Sequence, residues 1–145
     1  MTFSGASTTD PGALQRSLGG AVRAEITRGG FLVYAVDPAD DVLHDETLKY
    51  VDVVGSEVIA SIDRPQHLAE LRDALAVDEV TDFICMCTGD LAIEFFDSRN
   101  ALIAVVRVDL PSGIEWPLWA GRANLVDPRR FGAWLARHSI VGGRD

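Results

Sequence analysis

The stretch FICMCTGDLAIEFFDSRNALIAVVRVDLPSGIEWPLW, residues 83–119, decides the fold. It is interrupted at Gly89-Asp90, at Asp97-Ser98-Arg99-Asn100 and at Pro111-Ser112-Gly113. These residue types favour turns: they tolerate left-handed backbone, bond nearby amides or preset φ. Between the breaks lie four strand-like runs, Phe83–Thr88, Leu91–Phe96, Ala101–Val108 and Ile114–Trp119. Consecutive short strands with tight turns predict an antiparallel meander.

Beyond the meander, Asp127-Pro128 places N-cap and N1 residues in their preferred order. Phe131, Trp134, Leu135 and His138 then recur at i, i+3, i+4 and i+7, one face of a helix. Before it, Asp63-Arg64-Pro65 opens a second helix, with Asp63 expected to cap the free amides. Leu68, Leu71 and Leu75 share its apolar face, and the helix is expected to run to about Ala76.

Leu48–Val54 and Glu57–Ile62 are strand-like and joined by Gly55-Ser56, which fits either a hairpin or one long bent strand. Residues 37–47 form an acidic loop. Further back, Val22, Ala24 and Ile26 alternate with polar residues, and Arg28-Gly29-Gly30 leads into Phe31–Val36, a hairpin pattern. Leu14, Leu18, Val22 and Ile26 also keep a helical spacing, but Gly19 and Gly20 would each cost about 1 kcal/mol inside a helix. A short helix near residues 11–18 followed by the hairpin fits both patterns. The expected architecture is α+β, an antiparallel meander sheet with helices packed on one face. Residues 1–10 read as a mobile polar tail and 11–145 as one domain.

A chain of 145 residues with 48% hydrophobic and 24% charged residues has the composition of a single globular domain. The net charge of −9, without a Lys/Arg stripe, argues against nucleic acid and against an anionic membrane surface. No apolar run is long enough to span a bilayer, and the N-terminus lacks the basic and apolar regions of a secretory signal. Cys85 and Cys87 are one residue apart, where a disulfide would be badly strained. The expectation is a reduced, cytoplasmic protein.

Phe83-Ile-Cys-Met-Cys-Thr-Gly-Asp90, Glu94-Phe95-Phe96-Asp97, Trp116 with Trp119, and the Trp134-Leu135 helix resemble a known set of sequences. It is a group of small uncharacterised actinobacterial proteins with a Cys-Met-Cys-x-Gly-Asp strand and a C-terminal Trp-Leu helix. The resemblance covers roughly residues 50–140. Many members carry a His-His-Gly turn after the third strand. Here that place reads Asp109-Leu110-Pro111-Ser112-Gly113, so a function lent by those histidines is absent. The resemblance implies the fold and carries no activity.

Cys85 and Cys87 share a strand face and could supply two ligands of a zinc site. His44, His67 and His138 lie at no recognisable ligand spacing, and with Phe83 the cysteines equally fit a core. Asp90 and Glu94 could divide acid and base roles. The plainer expectation is that Asp90 bonds backbone amides while Glu94 meets solvent on the strand's polar face. His138 fits a base, a ligand, or an imidazolium favoured by its helix C-terminus, and the last is preferred. The acidic loop lacks calcium-loop spacing, and the sequence has no P-loop, Gly-x-Gly-x-x-Gly, Gly-x-Ser-x-Gly or His-Glu-x-x-His. No catalytic residue, metal or cofactor is assigned.

Trp116 and Trp119 flank Pro117, which removes a ladder donor and marks Ile114–Trp119 as an edge strand or a strand end. On an extended segment the two indoles point to opposite faces, leaving one available to a partner unless both are buried. Trp116, Trp119 and Glu115 are therefore the expected partner-binding residues, for another protein or for a homodimer paired edge to edge. The leading expectation is a non-catalytic protein-interaction protein, immunity-like or accessory. The alternative is a small enzyme or metal/thiol protein centred on Cys85, Cys87, Asp90 and Glu94.

Overall fold

Alternating side chains sort the central strands into two faces. In the computed structural model, which describes residues 8–28, 57–83, 90–110 and 112–140, seven strands form one antiparallel sheet. In chain order the elements are α1 (Ala13–Ser17), a 3₁₀ turn (Leu18–Gly20), β1 (Arg23–Arg28), β2 (Val58–Ile62), α2 (Pro65–Ala74) and β3 (Val77–Val80). There follow β4 (Leu91–Phe96), β5 (Leu102–Asp109), β6 (Gly113–Glu115), β7 (Ala123–Leu125) and α3 (Pro128–Arg137). Across the sheet the order is β2-β1-β4-β5-β6-β7-β3.

The meander runs as expected through β4, β5 and β6, and β7 extends it; of the expected first strand, Phe83–Thr88, residues 84–88 lie outside the described residues. Its turn at 97–100 is held by Asp97, whose carboxylate accepts from the amides of Arg99 and Ala101, while Asn100 takes φ 64°. Register builds rows across the sheet. Ile26, Ile93 and Val106 form one, and Ala24, Phe95 and Ala104 another. Leu91, Val108, Ile114 and Ala123 form a third. This face packs in one apolar cluster with Leu14 and Leu18, with Leu68 and Leu71 of α2, and with Phe131, Trp134 and Leu135 of α3. Burial of each such side chain stabilises the fold by roughly 1.5–3 kcal/mol.

The helix ends follow their residues unequally. Asp127 caps α3, its carboxylate accepting from the Arg130 amide. Asp63 does not cap α2: Arg64 occupies the N-cap and no side chain bonds the free amides, so that expectation is corrected. Gly19 and Gly20 end α1 in the 3₁₀ turn, so of the competing patterns the strand begins at Arg23.

Other expectations change as well. β3 and β7, absent from the sequence reading, pair with each other and place β3 at one end of the sheet. Ile114–Trp119 is not an edge: β6 ends at Glu115 and lies between β5 and β7. Residues 8–10 are not free tail, because Thr8 bridges Trp119 and the Asp10 carbonyl accepts from the Trp119 indole at 3.0 Å. The expected runs 31–36 and 48–54, the loop 37–47, and Cys85 and Cys87 lie outside the described residues. No described helix is long and apolar enough to cross a membrane.

Candidate functional site

Small side chains on two neighbouring elements open a cleft at one end of the helix layer. On α2, Pro65, Leu68, Ala69 and Arg72 recur at i, i+3, i+4 and i+7 and so form one stripe. Opposite them stand Leu18, Ala21 and Val22 of the segment between α1 and β1, with Phe95 beneath and Asp63 at one end. The cleft encloses about 240 Å³. Gln15 ties its two walls, donating from Nε2 to the Arg72 carbonyl at 2.8 Å. Val22 is 45% exposed, one of four large apolar residues open to solvent among the described residues. The sequence held only a faint signal of this site, an Ala and an Arg on the helix face left over by the leucine stripe.

The opposite flank of α2 meets α3. His67 and His138 pack edge to face with ring centroids 4.7 Å apart, and His138 lies 4.2 Å from the Trp134 ring. Burial lowers the His138 pKa, and the neighbouring His67 and Arg137 lower it further against the pull of Glu70. The expected imidazolium favoured by the helix C-terminus is therefore corrected to a side chain that favours the neutral form.

The second face of the sheet is polar. Thr27, Ala92, Arg107 and Glu115 form one cross-strand row, in which the Arg107 guanidinium donates to the Glu115 carboxylate. Asp109 Oδ2 lies 3.8 Å from the same guanidinium. Arg107 and Glu115 are each only 1% exposed, so this is a buried ion pair within the sheet. In the adjacent row Glu25 faces Glu94 across β1 and β4. Arg23 donates to Glu25 and to Asn100 and lies over the Phe96 ring at 4.1 Å. Glu94 is half-buried, and burial first, then the Glu25 charge, raises its pKa against the opposing effect of Arg23. The strand face expected to meet solvent is thus partly covered, with Ala92 buried as well.

The other sequence candidates are dispersed. Asp90 accepts from the Leu110 amide at 2.8 Å, a structural bond at the end of β5. It lies four residue steps before Glu94, about 13 Å at the usual rise of a strand, so the two do not form one acid–base centre. Trp116 and Trp119 are both buried, packed edge to face with centroids 5.4 Å apart. The Trp119 amide donates to the Trp116 carbonyl at 2.9 Å, so the chain turns at Pro117-Leu118 and brings both indoles inward. With Glu115 engaged by Arg107, the three expected partner-binding residues do not form an accessible surface. Phe83, expected to line the core, is 58% exposed. Among the described residues no three His, Cys, Asp or Glu side chains come together as a metal site.

Compared with models of protein families, with curated proteins and with solved structures, the chain has no match.

Proposed function

We propose that the chain is a non-catalytic, cytoplasmic protein-interaction module, immunity-like or accessory, that docks a protein partner through the cleft between α2 and the α1–β1 segment. The observation that carries this reading is the cleft's size and lining. Small-molecule sites usually enclose about 300–1,000 Å³ and gather convergent polar groups. This one encloses about 240 Å³, is walled mainly by Leu18, Ala21, Val22, Pro65, Leu68, Ala69 and Phe95 with the charged Asp63 and Arg72 also on its lining, and includes neither Asp90 nor Glu94. Such a cleft suits one or two apolar side chains of a partner, the usual anchor of a protein interface.

One observation favours the alternative of a small enzyme, the raised pKa of half-buried Glu94 beside Glu25. The two readings separate on paired variants. Affinity capture from native cells is expected to recover a stoichiometric protein with the wild type and to lose it with Val22→Asp, whose fold circular dichroism verifies. Retention of the partner by Val22→Asp would refute docking through the cleft. A catalytic activity abolished by Glu94→Gln and untouched by Val22→Asp would install the enzyme in its place.

A further inference from the structure

We infer that the cleft receives an extended partner segment with a basic, an apolar and an acidic residue at alternate positions. The inference rests on the reading of the cleft as a docking surface and specifies its ligand. Its basis is the charge at the two ends. Asp63 stands where the chain enters α2, and Arg72 lies seven residues after Pro65, about 10 Å further along the helix. Between them the lining is apolar.

Among the described residues Asp63 and Arg72 lack an internal partner, as does Arg64, which does not line the cleft, whereas other charges on and around α2 are paired. Asp73 is paired with Arg130, Glu70 with Arg137 and Asp10 with Arg16. Neither the Asp63 carboxylate nor the Arg72 guanidinium makes an ion pair or a side-chain hydrogen bond among the described residues. A negative and a positive end flanking an apolar floor select a ligand of complementary order. Positions i, i+2 and i+4 of an extended peptide share one face and span about 13 Å. Lys-x-Leu-x-Glu therefore matches the cleft: Lys toward Asp63, Leu over Leu68 and Phe95, Glu toward Arg72.

The test is a set of double-mutant cycles with the peptide Ser-Lys-Thr-Leu-Thr-Glu-Ser, blocked at both ends, titrated against the isotope-labelled full chain at low salt. Cycles cancel the general attraction of an acidic protein for basic peptides. Replacing the peptide's Glu by Gln is expected to weaken binding to the wild type about two- to five-fold, the range of an exposed ion pair, and to leave Arg72→Gln unaffected. Replacing its Lys by Gln should do the same for the wild type and leave Asp63→Asn unaffected. Equal losses in wild type and variants, or a peptide that shifts no cleft resonance, would overturn the inference. The docking reading is judged separately, because it stands or falls on whether Val22→Asp loses the native partner.

Discussion

Glu94 shows how one side chain can be held against its preference. Like charges directly opposite on neighbouring strands repel, and Glu25 is its cross-strand partner. Burial and that repulsion place the folded-state pKa of Glu94 above the ordinary 4.5. A carboxyl with a raised folded pKa adds stability while it is protonated, below its unfolded pKa, and loses that contribution as pH rises through the folded value. Glu94→Gln is therefore expected to raise Tm at neutral pH, with the gain vanishing near pH 4, where Glu94 is largely protonated in both states. Scanning calorimetry at the two pH values checks this, and a Tm unchanged or lowered at neutral pH would contradict it. Arg107 illustrates the complementary case. Its burial is supported by Glu115 and Asp109, a pattern of charges that sequence alternation alone reads as an ordinary polar strand face.

Among the elements, α3 was the most legible, because its cap, its N1 proline and its apolar stripe all agree. Its energy is concentrated in packing. Trp134 is 1% exposed, and Trp134→Ala should cost about 3–5 kcal/mol, whereas Asp127→Ala should cost about 1 kcal/mol. Chemical denaturation separates them, and equal losses would mean that the indole contributes far less packing than its burial implies. Gly132 lies on the exposed side of the same helix, with nothing within 4 Å of an added Cβ. Gly132→Ala is expected to stabilise by about 0.5–1 kcal/mol through helix propensity, read as a higher denaturation midpoint. α2 was legible in its leucines but not in its cap, since the turn puts Arg64 rather than Asp63 at the N-cap.

At the scale of the molecule, the open sheet is assembled by contacts between distant segments, and β3 against β7 is the clearest. A Cβ at Gly121, just before β7, would stand 2.5 Å from the Thr81 carbonyl oxygen and 2.7 Å from that of Phe83. These are backbone atoms, so Gly121→Ala should destabilise by about 1–3 kcal/mol, opposite in sign to Gly132→Ala. Thermal unfolding of the two variants side by side reads both signs, and a neutral Gly121→Ala would show that the β3–β7 approach is looser than described. The sequence by itself determined the α+β class, the strands at 91–96 and 102–109, the turn at 97–100 and helix α3, because each is written in residues close together in the chain. Tertiary structure alone decided the rest. Val77–Val80 and Ala123–Leu125 are too short for a period-two pattern to register, and they are strands only because Val77 pairs with Leu125 and Val80 with Ala123. The same holds for the inward turn of Trp116 and Trp119, the burial of Glu115 against Arg107, and the cleft: each requires segments far apart in the chain to meet, and local preference says nothing about which distant surfaces will pack.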